Sequence, residues 1–333
     1  MKTAFIRLAL LLFVLTAFGV LVALILGSAF PNTVIAYRVA GRWIDALDYA
    51  RGITVSIIPY GQDFAWSPDG ATLAFAGRLQ PKDDVEIFLL DINSGQRTQL
   101  TDNDYYDYLP TWSPDGTQLV YLSRGGTRFS QMTFVNLRTG DRRPFDAVGT
   151  DRLVWSPDGR FLLFNSAYHS FPSVFRMETE TGDVSLLTPG LPNSSDPSWS
   201  PDSEQIAFTA SENNIMGTYI MDANGLNARR VTPAAMSATW PQWSPDGSRI
   251  LFAAGSAPTG LYVLTLNSGQ VSTVIETSNI TSPPAWSPDA GRILYTQKDA
   301  NGTSQIYMVD ADGSNDRQLT FGGTPKLNPA WRP

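Results

Sequence analysis

The chain has 333 residues, 43% hydrophobic and 17% charged, enough apolar material for a large core. A net charge of −7 with no Lys/Arg cluster argues against a nucleic-acid partner, because backbone phosphates would meet net repulsion. With no cysteine, disulfides, thiolate metal sites and cysteine nucleophiles are excluded, and one histidine, His169, restricts histidine chemistry almost as far.

The first expected element is apolar. Lys2 and Arg7 precede Leu8–Phe30, a run of 23 uncharged residues. At 1.5 Å per residue it would span roughly 30 Å, the hydrocarbon thickness of a bilayer. Residues 1–30 therefore read as a transmembrane anchor, with Gly27-Ser28-Ala29 offering the alternative of a signal peptide cleaved after Ala29. Arginines follow the run as well as precede it, so the positive-inside rule does not set topology. Both the anchor and the cleaved signal deliver the rest of the chain outside the cytoplasm, membrane-anchored in one case and secreted or periplasmic in the other.

After Pro31 the sequence becomes short-stranded. Thr33–Ala40, Trp43–Asp48 and Ile53–Ile58 are apolar, β-branched runs separated by turn residues. A motif of Trp-Ser-Pro-Asp then recurs at Trp66, Trp112, Trp155, Trp199, Trp243 and Trp286, and Trp331 is followed by Arg332-Pro333. Successive tryptophans are 46, 43, 44, 44, 43 and 45 residues apart. A fixed period of this size marks a repeated supersecondary unit and suits a four-stranded propeller blade.

The unit at Trp286 shows the pattern. Residues 284–288 read as an inner strand, 292–296 as a second, Ser304–Asp310 as a third and 317–320 as a fourth, joined by Gly-bearing turns. Proline presets φ for a type I turn, Asp suits the next position and Gly accepts the left-handed one, so the motif aspartates are turn residues. Second strands such as LVYLS and ILFAA are nearly continuous apolar runs, as expected for burial on both faces between packed blades.

The repeat, xPxWSPDGxxIxF followed by IYxMDxxG and RxLT, resembles the WD40-like repeat of TolB-type β-propellers over about residues 33 to 333. Departures are Ser203 in place of the turn Gly, Ala290 read as an insertion before Gly291, and Asn136, Glu178 or Thr265 at the third-strand Asp. The resemblance implies a scaffold in envelope complexes. Related propellers occur in peptidases with a separate hydrolase domain, for which this chain has no room, and in lyases with several metal-binding histidines, which one histidine cannot supply.

The fold expected is all-β: a seven-bladed propeller of four-stranded antiparallel blades spanning 31–333, preceded by one N-terminal transmembrane helix. The C-terminal strand 328–331 would complete a blade begun by residues 33–58 and close the ring. Six blades is the alternative if residues 31–58 form something else.

In such a meander the SPDG and the third-to-fourth turns share one face. The longer second-to-third and fourth-to-first loops share the other, where variable binding residues belong. Partner-binding candidates there are Asp104, Tyr105, Tyr106, Asp107 and Tyr108, then Arg124, Arg128, Tyr168, His169, Phe171 and Trp240. Asp102, Asp104 and Asp107 lack the spacing and terminal Glu of a calcium loop, and no GxSxG accompanies His169. The sequence thus reads as a non-enzymatic scaffold without cofactor or metal, binding a protein or peptide. The alternatives are a glycan-binding or glycan-active propeller, or an accessory subunit of a separate peptidase.

Overall fold

The computed structural model describes residues 33–40, 43–79, 83–125, 130–147, 152–166, 171–255 and 259–333. The expected anchor or signal, 1–30, lies outside the described residues. Among the described residues no helix is long and apolar enough to cross a membrane.

Seven four-stranded antiparallel sheets stand around one axis. The inner strands of blades 2 to 7 are Phe64–Trp66, Tyr106–Trp112, Leu153–Trp155, Ser195–Trp199, Ala238–Trp243 and Ile280–Trp286, each ending on its motif tryptophan. Blade 1 joins distant segments: Lys326–Trp331 is its inner strand, followed by Val34–Val39, Trp43–Asp48 and Ile53–Pro59. The pairing Ile35↔Trp331 and Ala36↔Ala330 closes the ring. The six-blade alternative is thereby excluded, since residues 34–59 supply three strands of a blade.

Each motif turn is a small hydrogen-bond network. In blade 2, Gly70 N–H donates to the Ser67 carbonyl at 2.8 Å with Gly70 at φ 65°. The Ser67 hydroxyl donates to Asp69 Oδ1 at 2.6 Å and accepts the Thr72 N–H at 2.9 Å. The same serine links recur at Ser113, Ser156, Ser200, Ser244 and Ser287. The serine is therefore as necessary to the turn as the proline and glycine.

Blade 7 corrects one reading of this motif. Ala290 is no insertion: it occupies the turn-glycine position at φ 55°, and its N–H donates to the Ser287 carbonyl as Gly70 N–H does to Ser67. The spacing is conserved because Gly291 takes the position that Thr117 holds in blade 3.

The core lies between blades. Val34, Ile44 and Ile57 of blade 1 pack with Trp66, Leu73 and Phe75 of blade 2, while Ile35, Tyr37 and Trp331 pack with Leu294 and Ile306 of blade 7. Six of the seven motif tryptophans are buried, and Trp112 is half-buried. Burying about 150–250 Å² per aromatic explains why this residue, rather than a smaller one, recurs where neighbouring sheets interlock.

Candidate functional site

The inner strands surround the axis, and their geometry builds a channel. Three residues before each motif tryptophan stand Asp63, Leu109, Arg152, Asp196, Trp240, Pro283 and Asn328. All except Trp240 line a cavity of about 700 Å³ to which all seven inner strands contribute. Leu109, Asp196, Trp240 and Asn328 have φ of 54°, 53°, 56° and 50°, and a proline follows each. Strand pairing shifts register at every one of these points. Such bulges re-aim side chains, and a left-handed Leu or Trp is backbone strain of the kind that gathers at binding sites.

The channel wall carries polar groups from several blades. Arg152 Nη1 lies 3.6 Å from Asp196 Oδ1. Burial raises the Asp63 carboxyl above its usual range, with the Arg38 charge opposing. Asn165 Oδ1 and Gln242 Nε2, both lining residues, are buried without a hydrogen-bond partner. Each leaves one polar atom unsatisfied behind the channel wall.

The aromatic candidates divide in a way their spacing concealed. Asp104 and Tyr105 are exposed and lie on the expected loop. Tyr106, Asp107 and Tyr108 instead belong to the inner strand of blade 3, which begins at Tyr106. Tyr106 donates its hydroxyl to Gln62 Oε1, and Tyr108 shares a hydrogen bond of 2.8 Å with Ser130. Both tyrosines brace the blade, and Asp107 is fully buried. The guanidinium of Arg124, at the end of the second strand, sits 5.5 Å from the Tyr108 ring.

Tyr105 lies over the bare backbone of Gly125, where a Cβ would come within 2.6 Å of the ring. Phe171 is exposed on a second-to-third loop, and Trp240 is half-buried on the inner strand rather than on a loop. Arg128, Tyr168 and His169 lie outside the described residues.

The sequence reading missed Asp63, Arg152, Asn165, Asp196 and Gln242. Counting back three residues from each tryptophan would have found the three charged ones.

Among the described residues no group of three or more acidic or histidine side chains is arranged to hold a metal. The TolB β-propeller domain family matches residues 51–196 and 241–333, more than half of the chain. The chain belongs to that family.

Among curated relatives, dipeptidyl-peptidase 5 of Porphyromonas gingivalis is 26% identical over 149 residues, which cover 40% of this chain and 22% of the peptidase. The chain thus spans under a quarter of that relative's length. Among solved structures, TolB of Acinetobacter baumannii superposes with a TM-score of 0.61 at 16% identity, covering 90% of this chain and 83% of that one. The propeller domain of the Trilobed protease of Pyrococcus furiosus, described as having an open velcro topology, gives a TM-score of 0.67 at 13% identity, covering 87% and 95%. At these identities the likeness is one of fold. The TolB-type ring described here differs from an open one in being closed by the pairing of Lys326–Trp331 with Val34–Val39.

Proposed function

We propose that the protein is a non-enzymatic, extracytoplasmic scaffold that binds a protein or peptide partner through its variable-loop face. One observation carries this reading. Of the ten large apolar side chains that stand exposed among the described residues, six lie on that face: Trp43, Tyr60, Leu79, Tyr105, Phe171 and Phe321. Exposed aromatics fixed to a rigid frame give contact area at low entropic cost. The channel, lined in part by Asp63, Arg152 and Asp196, suits an extended polar segment of the same partner.

The path of the chain supports the orientation. Thr33 leads into the second strand of blade 1 on the SPDG face, so whatever precedes it joins the propeller from that side. An uncleaved apolar run 8–30 tethers the SPDG face to a bilayer and leaves the variable-loop face pointing away from it. Resemblance within the TolB family agrees with a scaffold role by analogy of fold alone.

Partner capture from solubilised membranes tests the reading. Wild type is compared with Tyr105→Ala and Phe171→Ala on the variable-loop face and with Leu226→Ala on the SPDG face. The first two variants are expected to lose a captured protein that the third retains. Equal capture by all three would reject this face.

A further inference from the structure

Four of the exposed apolar side chains follow one another along the rim of the variable-loop face. Trp43, 37% exposed, opens the third strand of blade 1 and faces Pro59 on the fourth, and Tyr60, 39% exposed, comes directly after that proline. The chain then lies against blade 2. Gln62 N–H donates to the Ala76 carbonyl at 2.9 Å, and a Cβ on Gly77 would stand 3.5 Å from the Tyr60 carbonyl. Leu79, two residues past Gly77, shares an open bay of about 760 Å³ with Tyr105. Trp43, Tyr60, Leu79 and Tyr105 thus form one arc from blade 1 to the edge of blade 3.

The far side of the same face differs. Among the described residues, the loops at 213–214, 232–237, 277–279 and 299–303 present no exposed large apolar side chain. Single exposed apolar residues are ordinary on a protein surface, whereas a contiguous group marks an interaction site. Tyr60 adds a second sign. Its φ is 60°, a left-handed conformation that glycine holds without strain. Neither the turn nor the core calls for a tyrosine there, and strain of this kind gathers at binding sites.

The bay between Leu79 and Tyr105 gives the arc a sign. Asp84, Asp102 and Asp104 line it with exposed carboxylates, beside Asp83. Asp84, Asp102 and Asp104 make no ion pair among the described residues. The guanidiniums of Arg78 and Arg124 are not among its described walls: both act on the Tyr106 hydroxyl, and Arg124 sits over the Tyr108 ring. Lys82, outside the described residues, offsets at most one of these charges, and the chain as a whole carries −7. Acidic groups beside an apolar surface draw cationic partners and repel anionic ones.

We infer that this arc docks a basic, apolar peptide segment of the partner, one that carries Lys or Arg beside aromatic or aliphatic side chains. The inference rests on the variable-loop face being the partner's face, and narrows it to blades 1–3. Apolar groups of the segment cover Trp43, Tyr60, Leu79 and Tyr105, while its cations stand over Asp84, Asp102 and Asp104. Exposed tyrosine and tryptophan rings also accept cations on their faces. An acidic segment would meet repulsion at the bay, and a purely polar one would leave the arc uncovered.

Fluorescence anisotropy of the full chain in zwitterionic nanodiscs, with empty nanodiscs subtracted, tests the arc. The probe is a peptide of roughly eight residues, Phe and Lys in equal number, and its controls replace every Lys by Glu or every Phe by Ser. The Phe/Lys peptide is expected to bind about tenfold tighter than either control, and more weakly as salt rises from about 50 to 500 mM. Tyr60→Gly should weaken binding about fivefold while raising the urea midpoint, a combination that a merely structural tyrosine does not give. Asp102→Asn with Asp104→Asn should weaken it by a similar factor and flatten the salt dependence, and Leu226→Ala should bind as wild type does. No binding of the Phe/Lys peptide, equal binding of the Phe/Glu peptide, or unchanged binding in both variants would overturn the arc. A captured partner protein that is lost in Phe171→Ala but kept in Tyr60→Gly would also overturn it, while leaving the variable-loop face in place.

Discussion

The indole N–H of Trp331 donates to the carbonyl of Ala285 at 3.2 Å. Trp112, Trp199 and Trp286 make the same bond to Ala65, Val154 and Gln242, in each case the residue just before the previous blade's tryptophan. Trp66, Trp155 and Trp243 lack a partner at this nitrogen. Trp331→Phe is therefore expected to cost about 1 kcal/mol more than Trp66→Phe in urea unfolding, the difference being the hydrogen bond. Removing residues 328–333 should destabilise the whole ring, because it also deletes the bond from Arg332 Nε to the Gly70 carbonyl that ties blade 1 to blade 2.

Ala290 holds a glycine's place at φ 55°. A left-handed conformation costs an L-residue roughly 1–2 kcal/mol, part of which glycine returns through its freer unfolded chain. Ala290→Gly should stabilise the protein by about 0.5–1 kcal/mol, read as a higher urea midpoint at unchanged slope. An unchanged or lower midpoint would mean that the blade 7 turn is not strained.

The turn serines hold the carboxyls of Asp69, Asp115, Asp202, Asp246 and Asp289 below the usual range, Asp246 at about 2. A folded pKa below the unfolded one gives stability that is present above the unfolded value, near 4, and is lost as pH falls towards the folded one. Stability should decline between about pH 4 and pH 2, and Asp246→Asn should make the decline shallower. Asp45, Asp63 and Glu86, raised chiefly by burial, act in the opposite direction: their contribution is greatest at low pH and fades as pH rises. These side chains blunt the acid loss without moving its window.

Tyr105 rests on Gly125. Gly125→Ala should displace the ring and weaken partner binding as Tyr105→Ala does, although the tyrosine remains. Tyr106→Phe, which removes only the hydroxyl bonded to Gln62, should lower thermal stability and leave partner capture unchanged. The reverse pattern would shift recognition from Tyr105 to the strand.

The chain lacks cysteine, so single-cysteine variants report without background. In membranes carrying the full chain, a spin label at Ser94, on the SPDG face, should lie nearer the bilayer than one at Asp104. Equal depths, or release of the intact chain by alkaline wash, would count against tethering by that face.

Blade number, strand order and closure were legible because near-continuous apolar strands and a fixed period survive any change in the loops. The SPDG turn was legible apart from its serine, whose hydroxyl works by accepting and donating at once, a role that composition does not display. The binding cluster was only half legible. Asp104-Tyr105-Tyr106-Asp107-Tyr108 reads as one polar aromatic loop, yet strand pairing takes its last three residues into blade 3. Asn103 links Glu86 of blade 2 to Asp107 of blade 3, and the channel ring depends on bulges at Leu109, Asp196 and Asn328, so both arise from tertiary contact.

Blade 1 joins the earliest described strand to the latest. At ribosomal rates of roughly 5–20 residues per second, some tens of seconds separate the synthesis of Val34–Val39 from that of Lys326–Trp331. Throughout that interval the apolar strand Val-Ile-Ala-Tyr-Arg-Val has an unpaired edge, a template for association with other nascent chains. Until the closing strand arrives, the first blade of this ring therefore exposes an open edge that the finished fold conceals.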